Sequence, residues 1–387
     1  MDYEKLLSST VQGLKPSGIR KFFDIASTMQ GVISLGVGEP DFPTPWEIRK
    51  AGIHSLENGK TRYTSNRGLE LLCREISAYT DRKYGFSYDP ATEVMVTVGG
   101  SEGIDAAIRA LVCPGDEVII PQPSYVCYEP LVRLAGGVPV ILETTAQYDF
   151  KVTPEMLRSV LSPRTKLLIL PYPCNPTGAI MEQNDLEAIA EVLRGTDVVI
   201  LSDEIYAELT FGEKHHASIA AIPDMKERTV VVNGFSKTFS MTGWRLGYAC
   251  ASAPIMKQMV KIHQFAIMCA PTTSQYAAIE ALRNGDEAVE AMKEEYDMRR
   301  RLIVKGFNDL GLSCREPKGA FYAFPCIEST GMTSEEFCEK LLYAEKVAVV
   351  PGTAFGQGGE GYIRASYCYS AEHISEALRR IGHFLKK

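Results

Sequence analysis

Short apolar runs alternate with amphipathic segments through the middle of the chain. The apolar runs, rich in Val, Ile and Leu, lie at residues 94–98, 117–120, 138–142, 166–171, 197–201 and 229–233. Helical patterns lie between them, at residues 101–112, 125–135 and 182–194. Each run is apolar throughout, which is typical of strands buried on both faces. The pattern predicts an α/β fold with a mainly parallel, mixed sheet between helices, and residues 246–251 add a strand of undetermined direction.

The pattern changes after about residue 285. A long charged segment at residues 286–310 has the character of a helix, and Gly311 provides a stop signal for it. Later strands are predicted at residues 320–325, 347–351 and 362–367, with helices near 333–345 and 371–385. This order predicts a smaller α+β domain. We expect a large domain at residues 46–289 and a small domain formed by residues 1–45 and 290–387.

Composition and charge exclude several classes of function. The 387 residues carry 41 Lys and Arg against 48 Asp and Glu, a net charge of −7. A nucleic-acid partner is not expected, because such proteins carry a basic stripe. No apolar run approaches the roughly 18 residues of a membrane span, and the first residues lack signal-peptide character. The ten cysteines form no CxxC pair, so we expect no metal site and a cytoplasmic location with reduced thiols.

Polar residues follow the predicted strands, at the sheet edge where open α/β proteins bind ligands. The segment GGSEG (99–103) joins a strand to a helix, which suits either a phosphate at the helix N-terminus or a simple turn. It lacks the GK[ST] of a P-loop and the spacing of a dinucleotide-binding motif, which argues against an NAD-dependent dehydrogenase. Asn175 lies between two prolines in PCNPTG (173–178), in a loop that is either functional or a turn.

Charged groups complete this set. Asp203, at the end of a strand predicted to be buried, needs a cationic partner from the fold or from a ligand. Lys237 and Arg245 share the loop after the strand at 229–233, where neighbouring cations make a lysine a better nucleophile. Arg364, inside an apolar strand, is either paired in the core or directed at an anion. A lysine, an acid, an anion-binding helix end, an amide and a tyrosine are what a pyridoxal phosphate site requires.

The sequence resembles the class I and II aminotransferases, enzymes of the aspartate aminotransferase-like fold type I. The resemblance runs from LGVGEPDFPTP (35–45) to YIRASY (362–367), and it is most specific in SKTFSMTGWRLGY (236–248) and its spacing from SDEIY (202–206). It implies a large α/β/α domain, a smaller α+β domain and pyridoxal 5′-phosphate as cofactor. It also implies amino acid and 2-oxo acid substrates and a homodimer.

The family pattern implies roles for the residues around the cofactor ring. Lys237 would hold the cofactor as a Schiff base, and Asp203 would pair with the ring nitrogen. Asn175 and Tyr206 would bond the 3-oxygen of the ring. Tyr125, in PSYVCY, would stack on the ring.

The same pattern implies how the phosphate and the substrate are held. The phosphate would be bound by Ser236, Arg245 and the backbone of Gly100, Ser101 and Glu102. Tyr63 would reach the phosphate of the neighbouring subunit, so the sites of the dimer would be shared. Arg364 would clamp the α-carboxylate of the substrate, with help from the Gly38 backbone and from Asn175.

The implied reaction is a ping-pong cycle in two halves. Lys237 would move the α-proton of the substrate as general base and acid, leaving pyridoxamine phosphate, and a second 2-oxo acid would reverse the steps. Ser101 stands where the branch acting on aspartate often has a lysine, which argues against a dicarboxylate preference. Segment 15–26, with Ile19 and Arg20, is a candidate lid over the site.

Two alternatives to an aminotransferase stay open at this point. A C–S β-lyase or a lyase similar to aminocyclopropane carboxylate synthase would use the same fold and would need no 2-oxo acid acceptor. A non-catalytic pyridoxal phosphate-binding regulator would carry an extra DNA-binding domain. The residues before LGVGEP contain no basic helix, which argues against such a regulator.

Overall fold

The structure is a computed structural model and describes residues 1, 4–16, 18, 29–213 and 215–386. Ile19 and Arg20 lie outside the described residues, so the lid at segment 15–26 stays a prediction. Within the described part of the chain, no helix combines the length and apolarity needed to cross a membrane.

A central mixed sheet organises the larger part of the chain. β1 (Ile33–Ser34) precedes this sheet in the chain. The strands of the central sheet are β2 (Val94–Thr97), β3 (Glu117–Gln122), β4 (Val138–Glu143), β5 (Thr165–Leu170), β6 (Val199–Asp203), β7 (Thr229–Gly234) and β8 (Gly247–Cys250). They lie in the order β2-β8-β7-β6-β5-β3-β4, and all neighbours are parallel except β8, which is antiparallel to both β2 and β7. The predicted mainly parallel α/β fold is confirmed.

The direction of β8, which the sequence left open, follows from the short connection before it. β7 ends at Gly234, which pairs with Gly247 at the start of β8. A short connection returns the chain antiparallel, whereas a parallel neighbour needs a long crossover over one face of the sheet. The loop 235–246, which carries Lys237 and Arg245, is therefore held between adjacent strands at the edge where β6 also ends.

Helices cover the sheet and continue into the C-terminal part. They are α1 (Ser9–Gln12), α2 (Trp46–Glu57), α3 (Glu70–Tyr84), α4 (Gly100–Leu111), α5 (Tyr128–Leu134), α6 (Pro154–Val160), α7 (Gln183–Leu193), α8 (Phe235–Thr238), α9 (Ala253–Ala266), α10 (Thr272–Asn284), α11 (Asp286–Asp309), α12 (Ser334–Glu345) and α13 (Ala371–Phe384). α4 buries Ile104, Ala107 and Ile108, which share one apolar core with Val118 and Val232 of the sheet. This packing fixes the N-terminus of α4 against the C-terminal ends of the central strands.

Small sheets form the C-terminal part of the structure. Their strands are β9 (Tyr322–Ala323), β10 (Val347–Ala348), β11 (Val350–Pro351) and β12 (Ile363–Ser366). β12 lies between β11 and β9 and is antiparallel to both, while β1 pairs in parallel with β10. Residues 33–34 therefore belong to a sheet with the C-terminal part, and the chain then runs through residues 35–44 towards the central sheet.

Candidate active site

A cavity of about 520 Å³ lies at the C-terminal ends of β5, β6 and β7, beside β12. Its walls include most of the residues that the sequence predicted for the site, namely Gly38, Gly100, Ser101, Tyr125, Asn175, Asp203, Tyr206, Ser236, Lys237, Arg245 and Arg364. Glu102 and Tyr63 are not among the lining residues. The cavity therefore brings together eleven predicted residues from widely separated segments, while other lining residues, such as Tyr128 and Tyr322, were not predicted.

Asp203 ends β6 and is buried, with 7% of its surface exposed. Its Oδ2 accepts a hydrogen bond from the Tyr128 hydroxyl at 2.6 Å, and its Oδ1 accepts one from the backbone N–H of Ile205 at 3.2 Å. Burial raises the pKa of Asp203 to about 6, although the Tyr128 hydrogen bond opposes this shift. Among the described residues no Lys, Arg or His forms an ion pair with Asp203, so its charge is available to a cationic ligand atom.

Lys237 lies in the short helix α8, directly after β7. Its Nζ donates a hydrogen bond to the carbonyl oxygen of Gly38 at 2.6 Å and lies 5.7 Å from the ring centre of Phe321. Burial is the main cause that lowers the pKa of Lys237 to about 8; Cys368 and Glu39 oppose the shift, and Arg364 and Arg245 support it. The lysine is thus a much better nucleophile near neutral pH than an exposed lysine.

The turn before α4 is a candidate anion cradle. Gly99 has φ of 78°, and a Cβ at this position would lie 2.9 Å from an Nη of Arg245, so a side chain would crowd the guanidinium. The first turn of α4 has no side-chain cap, which leaves its N–H groups free for an anion. Ser236 and Arg245 line the same cavity.

Glu102 has its side chain turned away from the cavity. Its carboxylate accepts a hydrogen bond from the backbone N–H of Val98 at 2.9 Å and lies 2.9 Å from Nδ1 of the buried His263. The Glu102 side chain therefore stabilises the turn at 98–102 on the side away from the cavity. The backbone of Glu102 remains in the first turn of α4.

Arg364 on β12 is 2% exposed and has only neutral partners among the described residues. One Nη donates to Oδ1 of Asn175 at 2.8 Å, and the other donates to the carbonyl oxygen of Gly36. The Nε of Arg364 is buried and has no hydrogen-bond partner among the described residues. An arginine that is desolvated in this way, with no carboxylate to neutralise it, is suited to bind an anion in the cavity.

Two tyrosines of the cavity were missed by the sequence reasoning. Tyr128 lies three residues after Tyr125, and this helical spacing in PSYVCY was a usable signal. Tyr322 lies on β9, and its hydroxyl is 2.8 Å from the hydroxyl of Tyr206. The segment AFYAFP (320–325) has apolar or aromatic residues on both faces of the strand, so the sequence does not indicate which aromatic side chain faces the cavity.

Comparison with known proteins agrees with this arrangement. Residues 30–381 match the family model described as aminotransferase class I and II, and the chain belongs to this family. As a member of it, the protein is a pyridoxal phosphate-dependent aminotransferase that uses amino acid and 2-oxo acid substrates. The predicted family, fold type, enzyme class and cofactor are confirmed.

The relatives differ in the substrates that their names give. A Bacillus subtilis (strain 168) protein, YugH, whose name marks it as a candidate aminotransferase, is 56% identical over 98% of both chains. An aromatic-amino-acid aminotransferase 2 of Thermococcus litoralis is 43% identical over 98% of both chains. The solved structure of an aspartate aminotransferase from Thermus thermophilus with maleate has a TM-score of 0.93 and 38% identity, and covers 97% of this chain and 99% of its own.

The residues present fit pyridoxal phosphate. Asp203 offers an uncompensated carboxylate for the protonated ring nitrogen, and Lys237 offers an amine with a lowered pKa. The uncapped N-terminus of α4 and Arg245 offer donors for the phosphate. Arg364 is a further cationic group of the cavity, suited to a substrate anion.

Proposed function

We propose that this chain transfers the amino group of an L-amino acid to a 2-oxo acid by a ping-pong mechanism that passes through pyridoxamine phosphate. The observation that carries the proposal is the convergence of Lys237, Asp203 and Arg364 on one cavity, with no ion pair among the described residues to neutralise the acid or the arginine. When bound, pyridoxal phosphate supplies an electron sink that stabilises negative charge at the α-carbon of the substrate.

Lys237 is assigned to cofactor attachment and proton transfer. With a pKa of about 8, its Nζ is partly neutral near pH 7, and only the neutral amine reacts with an aldehyde. The Gly38 carbonyl, 2.6 Å away, holds Nζ in the cavity. As a neutral amine, Nζ would accept the α-proton of the substrate and deliver it again as general base and acid.

The groups around the ring hold its two polar positions. Asp203 would pair with the ring nitrogen and keep it protonated, and Tyr128 orients the carboxylate through Oδ2. Asn175 and Tyr206, both buried at the cavity wall, would donate to the 3-oxygen of the ring. Tyr125 lines the same cavity and would stack on the ring.

The phosphate and the substrate carboxylate occupy the two cationic ends of the cavity. Ser236, Arg245 and the backbone N–H groups of Gly100, Ser101 and Glu102 bind the phosphate. Arg364 binds the α-carboxylate, because its bonds to Asn175 and Gly36 fix the guanidinium plane and leave other N–H groups free. The backbone at Gly38 assists at the same position.

We also propose a homodimer in which Tyr63 reaches the phosphate of the partner subunit. Tyr63 is 78% exposed and lies outside the cavity of its own subunit, which supports a role across an interface. The proposed division places the large domain at 46–289 and the small domain at 1–45 and 290–387, and the pairing of β1 with β10 supports it. A cytoplasmic location is supported by ten cysteines that are all free.

A half-reaction screen tests the proposed function. The enzyme loaded with pyridoxal phosphate is mixed with each amino acid in the absence of a 2-oxo acid, and the absorbance of the bound cofactor is followed. We expect one equivalent of 2-oxo acid per site and full conversion of the cofactor to pyridoxamine phosphate. Addition of a 2-oxo acid is expected to restore the starting spectrum.

The same screen separates an aminotransferase from a lyase. A lyase on this fold would release pyruvate and ammonia from a substrate such as a cysteine conjugate, without an acceptor and over many turnovers. Sustained release beyond one equivalent per site would therefore contradict the proposal. Absence of a spectral change with all amino acids would contradict it in favour of a binding protein.

Ser101→Lys is expected to raise activity on dicarboxylic amino acids. Ser101 is exposed to the cavity on the first turn of α4, beside Tyr125, and its hydroxyl carries no positive charge for a distal carboxylate. A lysine there adds a charge-assisted hydrogen bond, which corresponds to a gain of about 10-fold or more in kcat/KM for aspartate. Ser101→Met is the control of similar length without charge. An equal gain with methionine, or no gain with lysine, would contradict the expectation.

A further inference from the structure

We propose that Tyr322 is a positioning residue that ties the substrate-binding arginine to the cofactor-binding tyrosine. Its ring supports the guanidinium of Arg364, and its hydroxyl orients the hydroxyl of Tyr206. The inference rests on the roles proposed above for Arg364 and Tyr206. Tyr322 is 1% exposed on β9 and lines the cavity, so both of its contacts are formed away from bulk water.

The ring of Tyr322 is one of two aromatic rings that pack against the guanidinium of Arg364. The guanidinium carbon lies 4.4 Å from the ring centre of Tyr322 and 4.8 Å from that of Phe355. Aromatic rings stacked on a guanidinium leave its N–H edges free for hydrogen bonds. Because Arg364 has no carboxylate partner among the described residues, the two rings act together with the bonds to Asn175 and Gly36 to hold its plane ready for a carboxylate.

The hydroxyl of Tyr322 contacts the group proposed to bind the cofactor oxygen. Its distance to the Tyr206 hydroxyl is 2.8 Å, and both tyrosines are buried. If Tyr206 donates its only proton to the 3-oxygen of the ring, its own oxygen must accept from another donor. The Tyr322 hydroxyl is placed to supply that proton, and it thereby fixes the direction in which Tyr206 donates.

A third contact connects Tyr322 with the lysine. A Cβ at Gly38 would collide with the Tyr322 hydroxyl, so the glycine allows the backbone to pass directly over the tyrosine. The carbonyl of this same Gly38 accepts the hydrogen bond from Nζ of Lys237. The buried Tyr322 therefore contacts Arg364, which is proposed to bind the substrate carboxylate, and Tyr206, which is proposed to bind the cofactor oxygen. It also lies against Gly38, whose carbonyl holds Lys237.

Two variants of Tyr322 separate the hydroxyl from the ring. Tyr322→Phe removes only the oxygen; we expect the affinity of the apoenzyme for pyridoxal phosphate, measured by equilibrium dialysis, to fall about 3- to 10-fold. The pH titration of the absorbance of bound cofactor is expected to shift as well, while KM for the amino donor stays within about 2-fold. Tyr322→Leu removes the ring and is expected in addition to raise that KM about 10-fold, because the guanidinium loses one of its two aromatic contacts.

Two further variants complete the test. Tyr296→Phe is the matched control, because its buried hydroxyl has no hydrogen-bond partner among the described residues; it is expected to leave cofactor affinity and KM unchanged. Phe355→Leu removes the other ring and is expected to raise KM without the loss of cofactor affinity, which keeps the ring argument testable even if Tyr322→Leu does not fold.

The results distinguish this inference from the proposed function. If the wild-type enzyme gives no half-reaction, the proposed function fails. If the wild type reacts but Tyr322→Phe matches Tyr296→Phe in cofactor affinity and pH titration, the hydroxyl role is overturned. If Phe355→Leu and a folded Tyr322→Leu leave KM unchanged, the ring role is overturned.

Discussion

Replacing Lys237 with alanine is expected to lower transamination by about 10⁴-fold or more, at the upper end of what a positioned general base contributes. Among the described residues that line the cavity, the amine of Lys237 is the group that is nucleophilic near neutral pH, with a pKa of about 8, and available to move a proton. The variant is expected to bind pyridoxal phosphate without a covalent bond, because Asp203 and the cradle at α4 remain. Borohydride reduction followed by peptide mass analysis would then find the cofactor mass on the wild-type peptide and not on the variant.

Lys257→Ala is the control for this change. Lys257 is an exposed lysine on α9, so its removal tests the loss of a lysine without touching the cavity. We expect wild-type activity and wild-type covalent attachment in this control. Retention of full activity in Lys237→Ala would contradict the role assigned to Lys237.

Much of the fold followed from the apolar pattern because the central strands are buried on both faces. Each predicted run from 94–98 to 229–233 became a strand of the central sheet, with ends shifted by one or two residues. The run at 347–351 is different, since it is divided into β10 and β11, which pair with β1 and β12. A continuous apolar run does not record a change of strand partner, so the sequence could not predict this break.

The site was predictable where a polar residue ends a strand, and less so elsewhere. Asp203 ends the buried strand β6, where a carboxylate does not contribute to apolar packing. An acid at such a position is therefore recognisable from the sequence as a candidate site residue. Tyr322 lies among aromatic neighbours in a strand of two residues, and its contact with Arg364 depends on how β9 and β12 pair through Ala323 and Ala365. Such long-range pairing is set by tertiary packing, which the local pattern does not contain.

Replacing Asp203 with asparagine is expected to have opposite effects on the cofactor-free and the cofactor-loaded protein. In the cofactor-free chain burial raises the pKa of Asp203 to about 6, so the folded state favours the protonated acid more than the unfolded state does. Stability is therefore lost as the pH rises towards 6 and stays lower above it. At pH 7.5 the neutral asparagine removes this penalty, and we expect the variant to be more stable by about 3 kcal/mol.

In the loaded enzyme the sign reverses, because the carboxylate then has a cationic partner in the ring nitrogen. Loss of one member of a buried ion pair is expected to weaken cofactor binding and transamination by about 10²- to 10³-fold. Thermal unfolding of both forms between pH 4 and 8, with the exposed Asp81→Asn on α3 as control, checks the two effects together. The stabilisation of the cofactor-free variant should shrink towards pH 4, where the wild-type acid is protonated in the folded chain. A variant that is destabilised when cofactor-free would contradict the burial penalty at Asp203. A variant that binds the cofactor as tightly as wild type would contradict the pairing of Asp203 with the ring nitrogen.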